Sequence, residues 1–121
     1  MALSATIDSR LAYKIIKQSV TTNTSNNHVT GTTSGSLYSI YISNQANSAV
    51  FVKIVDATSA TVGTTSPTFF FRVAQSDSLT VHIPGGLAYT SGLSFWAVTN
   101  PDDPNSTAPA GGSVAVILTA T

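Results

Sequence analysis

The sequence predicts an all-β protein, an antiparallel β-sandwich of jelly-roll or immunoglobulin-like type with roughly seven to nine strands. Short runs of strand-forming residues alternate with turn clusters rich in Gly, Pro, Asn and Ser along almost the whole chain. In the run Ser78 to Pro84, apolar and polar residues alternate strictly, which is typical of a strand with one buried face. Helical periodicity is nearly absent.

The amino-terminal part divides into a predicted arm, residues 1–12, and the start of a single sandwich domain, residues 13–121. A length of 121 residues supports one core. The run Leu11 to Val20 fits either a helix or a strand, and we favour a strand because no helix cap follows it. A short strand is expected at His28 to Thr32.

Three strand-like runs lie between Leu37 and Val73, separated by loops of small and turn-forming residues. This window predicts an antiparallel β-meander. The strands expected after residue 36 are Leu37 to Ser43, Ala49 to Asp56, Thr68 to Ala74, Ser78 to Pro84, Leu87 to Thr90, Leu93 to Thr99 and Ser113 to Thr121.

Two predicted strands are apolar on both faces. Alternation directs Phe70 and Arg72 outward in one of them and Trp96 outward in the other. An outward aromatic residue needs either a covering loop of the same chain or a partner subunit, and aromatic residues beside Arg are typical of protein interfaces. The interface candidates are Phe70, Arg72, Trp96, Tyr89, Lys14 and Lys17.

Charge is scarce and balanced, with five Lys and Arg residues against five Asp residues. The polar surface must therefore come from Ser, Thr, Asn and Gln, which lose less than ionised groups when a partner covers them. This favours a protein that lives inside an assembly, although Ser and Thr are also ordinary strand and turn residues. A net charge of zero argues against nucleic acid as a partner, and no apolar run approaches the length of a membrane span.

Two further absences narrow the class of protein. The start of the chain lacks the apolar region and cleavage site of a secretory signal, so export by that route is not expected. Cysteine is absent, which excludes disulfides and thiol chemistry.

The groups that could perform catalysis are few and scattered. His28 and His82 are the only candidates for a general base near neutral pH, and neither has an acid near it in sequence. Asp102, Asp103 and Asn105 could supply oxygen ligands to calcium, but their segment is also typical of an ordinary turn, which we favour. We therefore predict no enzyme, no catalytic residue, no cofactor and no metal site.

An ordered set of motifs carries a family resemblance. The motifs are Gly35 to Tyr38, Ala46 to Ala49, Phe51 to Asp56, Thr61 to Pro67, Ile83 to Leu87 and Thr90 to Phe95. Together they resemble a group of small β-sandwich virion proteins of tailed bacteriophages and prophages, which includes head decoration or cement proteins. The resemblance covers roughly Tyr13 to Leu118.

The resemblance implies a structural protein attached to a phage particle, on the head or on the tail. Our first hypothesis is a capsid decoration protein that lies on the virion surface, is assembled in the host cytoplasm and binds the major capsid protein of the same phage. The resemblance implies no active site. Symmetric capsid junctions favour a symmetric homo-oligomer, with a trimer as the first choice. The alternative is a tail or fibre module that binds host-surface carbohydrate, in which Tyr89 near Ser91, or Trp96 near Asn100, would contact the sugar.

Overall fold

The structure, a computed structural model, describes residues 3–8, 13–20, 34–102, 104, 107, 109 and 113–121, the first two ranges through their backbone. These residues form strands and no helix. The strands are β1 (Leu3–Asp8), β2 (Tyr13–Val20), β3 (Gly35–Asn44), β4 (Val50–Val55), β5 (Phe69–Val73), β6 (Asp77–Tyr89), β7 (Ser94–Val98) and β8 (Val114–Ala120).

The strands make two antiparallel sheets, a larger one in the order β1-β2-β8-β3-β6 and a smaller one in the order β5-β4-β7. The predicted all-β antiparallel fold is confirmed. Six strands, three in each sheet, have described side chains, which is fewer than the predicted seven to nine. With β1 and β2, which belong to the larger sheet, the described strands number eight, within that range. Within the described ranges, no helix has the length and apolar character needed to cross a bilayer.

The core lies between the two sheets, as in a β-sandwich. Alternate residues of each strand point toward it, because successive side chains of a strand face opposite sides of the sheet. In β8, for example, every second residue from Val114 to Ala120 is fully buried. The largest fully buried core side chains are Leu37, Ile40 and Ile42 of β3, Ile54 of β4, Phe95 of β7 and Leu118 of β8.

The predicted meander between Leu37 and Val73 is wrong, because β3 and β4 belong to different sheets and only β4 and β5 pair with each other. Turn residues show where pairing ends, but they do not show which sheet the next strand joins. The crossing is held by the buried side chain of Asn44, whose Nδ2 donates to the carbonyls of Ser48, Val73 and Ala74 at 3.0, 3.2 and 3.1 Å.

A single long strand, β6, replaces the two short strands predicted at Ser78 to Pro84 and Leu87 to Thr90. Its pairing with β3 shifts register between Leu37 and Ser39, so the chain bulges rather than breaks. Gly85 and Gly86 lie in the bulge with φ of 80° and 81°, angles that side chains disfavour. The glycines that predicted a turn therefore shape a bulge.

The amino-terminal run that was predicted to be a strand rather than a helix does form a strand. Tyr13–Val20 is β2, which lies between β1 and β8. The segment predicted as an arm, residues 1–12, contributes strand Leu3–Asp8 to the same sheet. The predicted strand at His28 to Thr32 lies outside the described residues.

Candidate interaction surface

The outer face of the smaller sheet divides into a covered half and an open half. Alternation in β4 directs Phe51 and Lys53 away from the core, because Val50, Val52 and Ile54 point into it. The pairing registers place Lys53 between Phe70 of β5 and Trp96 of β7.

The half beside β7 is covered by the segment that follows that strand. Lys53 is fully buried, Trp96 is 1% exposed, and Val98 is fully buried. The Nζ of Lys53 donates to the carbonyl of Asp102 at 2.8 Å, so the segment is fastened directly over this half. The N–H of Thr99 also donates to the carbonyl of Thr107 at 3.0 Å, which closes the loop on itself.

The half beside β5 is open. Phe70 is 45% exposed, Arg72 is exposed, and Phe51 is half-buried beside them. The rings of Phe51 and Phe70 pack edge to face, with centroids 6.1 Å apart and planes at 61°. We call Phe51, Phe70 and Arg72 the aromatic patch.

Strand β5 is also an edge of its sheet. Among the described strands it pairs with β4 alone. An edge strand presents main-chain donors and acceptors that can pair with another chain. The aromatic patch and the β5 edge together offer both apolar contact area and hydrogen-bonding groups, which is what a protein interface uses.

The six residues predicted to lie at an interface have different environments in the structure. Phe70 and Arg72 point outward, as predicted from alternation. Lys14 pairs with Ala120 and Lys17 with Ile117 through the backbone of β2. The structure describes only the backbone of β2, so the side chains of Lys14 and Lys17 are not among the described atoms.

Trp96 and Tyr89 are buried within the chain, which corrects their assignment as exposed interface residues. Trp96 does lie on the outer face of the sheet, but the segment after β7 covers it, a long-range contact that alternation cannot reveal. Tyr89 is 3% exposed, and its hydroxyl donates to the carbonyl of Thr121 at 2.6 Å. Neither side chain needs a partner subunit to leave water.

The side chains that the sequence offered for catalysis or metal binding lie apart in the described part of the chain. No group of three or more His, Asp, Glu or Cys residues that could hold a metal ion is found there. His82 is exposed on the polar side of β6, as alternation predicted. The N–H of Asp102 donates to the Oδ1 of Asn100 at 3.0 Å, the local hydrogen bond of a turn. Asp103 and Asn105 lie outside the described residues.

Asp56 has a structural role that its position as a strand terminator did not indicate. Its carboxylate accepts hydrogen bonds from the main-chain N–H groups of Thr90, Ser91 and Gly92 and from the hydroxyl of Thr90, over 2.8–3.3 Å. Partial burial tends to raise the pKa of Asp56, but these hydrogen bonds outweigh burial and lower the pKa below its usual 3.8. The side chain therefore holds the turn between β6 and β7.

Phe51 belongs to the aromatic patch and was missed from the sequence. The signal was present, since it alternates with inward residues of β4, but its neighbour across the sheet is visible only once β4 and β5 are paired.

No protein-family model, curated protein or solved structure matches the chain. The fold and the surface define a sandwich-like, charge-poor all-β protein with an exposed aromatic patch on a sheet edge.

Proposed function

We propose that the chain is a structural protein of a tailed-phage virion, a capsid decoration or cement protein that binds the major capsid protein of the same phage and stabilises the coat lattice. The observation that carries this proposal is the aromatic patch, in which Phe70 and Arg72 are exposed and Phe51 is half-buried, beside a strand that is the edge of its sheet among the described strands. The ordered motifs that resemble small phage virion proteins supply the second support.

The strand order supports a jelly roll over an immunoglobulin-like sandwich. In the immunoglobulin fold the last strand lies at the edge of its sheet. Here the last strand, β8, lies inside the larger sheet between β2 and β3, and the chain switches sheets after β3, β5, β6 and β7. Jelly rolls occur in viral capsid proteins and also in lectins, so the fold agrees with the proposal without selecting it.

The physical demands of cementing fit this surface. A cement protein joins coat subunits across their junctions, so it needs a broad contact rather than a deep site, and a standard specific interface buries about 1,600 Å² in total. Aromatic residues and Arg dominate the energetics of such contacts. Because the chain carries only 8% charged residues, covering the surrounding surface removes few ionised groups from water.

The proposed assembly on the capsid surface is a homo-oligomer, with a trimer as the first choice, because symmetric junctions recruit symmetric oligomers. The carbohydrate-binding alternative loses its support. Both aromatic residues that suggested a sugar site, Tyr89 and Trp96, are buried and cannot stack on a ligand in this conformation.

Binding to the coat lattice tests the proposal. Purified heads of the same phage, stripped of this protein, are sedimented with the wild-type chain, with Phe70→Ser and with Tyr41→Ser. Tyr41 is a matched control, since it is 38% exposed and lies on the outer face of the larger sheet. We expect wild type and Tyr41→Ser to bind saturably. Phe70→Ser should bind with an affinity at least about tenfold lower than wild type, the size of a typical hot-spot loss. Failure of the wild-type chain to bind heads would overturn the proposal.

A further inference from the structure

Among the described strands, the edge strands β6, β7 and β5 differ in what prevents another chain from pairing with them. Strand β6, at one end of the larger sheet, contains a register shift, the positive-φ pair Gly85 and Gly86, and Pro84, which has no N–H to donate. Bulges and proline are the usual devices that stop an edge from pairing with another chain. Strand β7, at one end of the smaller sheet, is buried at every residue.

Strand β5 carries none of these protections within its length. It runs regularly from Phe69 to Val73, pairs with β4 in unbroken register and exposes Phe70 at its edge. Its single charge, Arg72, lies on the outer face beside the aromatic rings rather than pointing into the sandwich. An exposed aromatic residue on a regular, unblocked edge marks a pairing site.

We propose that β5 pairs antiparallel with β5 of a second copy of this chain, about a twofold axis at Phe71, so that two three-stranded sheets become one six-stranded sheet. In this register each Phe70 lies directly opposite the partner's Arg72. Directly opposed residues of antiparallel strands share a face, so the guanidinium and the ring meet on the outer face. Each pair is a cation–π contact, and the twofold axis makes two of them.

The neighbouring registers are poorer. An axis at Arg72 sets that residue against the partner's Arg72, and like charges directly opposite each other are destabilising. An axis at Phe70 sets Phe70 opposite the partner's Phe70, a single aromatic pair on the axis, and Arg72 opposite the partner's Thr68, so the two copies form no directly opposed cation–π pair. The aromatic patch is therefore complementary to itself in one register, which is the property that a twofold interface requires.

The contact limits its own growth. A twofold interface uses the same edge of both copies, so pairing of β5 closes at two chains and forms no open fibre. One pair of five-residue strands covers less than the standard 1,600 Å² or so, so the association is weak and depends on concentration. The contact does not rest on the proposed virion role. A cyclic trimer built elsewhere on the chain would carry three β5 edges, and this contact would double it to a hexamer only where the twofold axes cross the threefold axis.

Sedimentation of charge-exchanged variants tests the register. The wild-type chain, with a protomer of 12.5 kDa, is expected to double in mass as concentration rises. Phe70→Arg opposes two arginines in each pair and should weaken that association roughly tenfold or more. The double variant F70R/R72F restores an arginine opposite a phenylalanine and should recover association to within a few-fold of wild type. Tyr41→Arg is the matched control and should behave as wild type.

The results that would overturn the proposal are equally specific. A wild-type chain that never doubles in mass excludes the contact, as does a Phe70→Arg variant that associates as well as wild type. Failure of F70R/R72F to recover, in an experiment where Tyr41→Arg associates as wild type does, would exclude this register. Circular dichroism and thermal unfolding of each variant confirm that the sandwich is intact. A wild-type chain that binds phage heads but never doubles would contradict this contact alone.

Cross-linking gives an independent measurement, because the chain contains no cysteine. A cysteine placed on the axis by Phe71→Cys lies opposite the partner's position 71, at the Cα separation of about 4.5–5.5 Å that opposed strand residues show and a disulfide accepts. Mild oxidation should convert Phe71→Cys to a covalent dimer much faster than Tyr41→Cys. Equal rates for the two variants would contradict the proposed axis.

Discussion

The Nζ atom of Lys53 donates a hydrogen bond to the main-chain carbonyl of Asp102 across 2.8 Å, from a side chain that is fully buried. This bond joins the middle of β4 to the segment that follows β7. It explains why the outer face of the smaller sheet is covered on one side and exposes the aromatic patch on the other.

Replacing Lys53 with Met should loosen this covering segment. The apolar stem remains, but the hydrogen bond to the carbonyl of Asp102 is lost, so we expect the free energy of unfolding to fall by about 1–2 kcal/mol. Urea denaturation measures the change, and hydrogen exchange of the segment after Val98 should rise. Val55→Met, a half-buried position on the same face of β4, is the control for methionine itself. A Lys53→Met variant as stable as wild type would show that the cost of burying the ammonium cancels its hydrogen bonding.

Truncation of Trp96 should damage the fold rather than an interface. The side chain is 1% exposed, and removing it leaves a large cavity, so Trp96→Ala should lose about 3–5 kcal/mol of unfolding free energy. Phe70→Ala, on the same face but 45% exposed, should lose about 1 kcal/mol or less. Both values come from chemical denaturation of the two variants. Equal losses would mean that the covering segment does not protect Trp96 in solution.

Acid should weaken the turn that Asp56 holds. The hydrogen bonds from Thr90, Ser91 and Gly92 lower the pKa of Asp56 in the folded chain, so the carboxylate form is bound more tightly than the protonated form. Its contribution to stability is complete above the unfolded pKa of about 4 and is lost as pH falls through the lower folded pKa. Unfolding free energy measured between about pH 6 and pH 2 should therefore fall for wild type, and should fall less for Asp56→Asn. Parallel curves for the two proteins would contradict this role.

The bulge in β6 gives a matched pair of glycine substitutions. Gly85 and Gly86 have nearly the same positive φ, but a Cβ on Gly85 meets nothing within 4 Å, whereas one on Gly86 lies 2.9 Å from Ser36 Cβ and from Tyr38 Cε1. Gly85→Ala should lose about 1–2 kcal/mol from backbone strain alone. Gly86→Ala should lose about 1–3 kcal/mol more, because β3 must move. Thermal unfolding of both variants measures the difference, and equal losses would show that the bulge relaxes freely.

The sequence predicted local features of the fold better than distant ones. Strand positions and facing follow from local alternation, so β5 was located to within a residue and the outward direction of Phe70 and Arg72 was correct. The partners of each strand depend on contacts between residues far apart in the chain, so the sheet switch after β3 was missed.

The same distinction applies to the candidate surface. Phe70 was found because exposure on a strand follows from alternation. Trp96 was misassigned because a segment several residues beyond it folds back over the same face through Lys53. The hydrogen bonds of Asp56 join it to Thr90 and its neighbours, 34 to 36 residues away, and no local pattern indicates them.

Electron cryomicroscopy of the intact phage particle that carries this protein tests the central claim most directly. The proposal predicts density for the sandwich at symmetry junctions of the head lattice, with β5 or the aromatic patch against coat protein or a second copy. Density confined to the tail tip, or no density on the particle, would contradict a role as a capsid decoration protein.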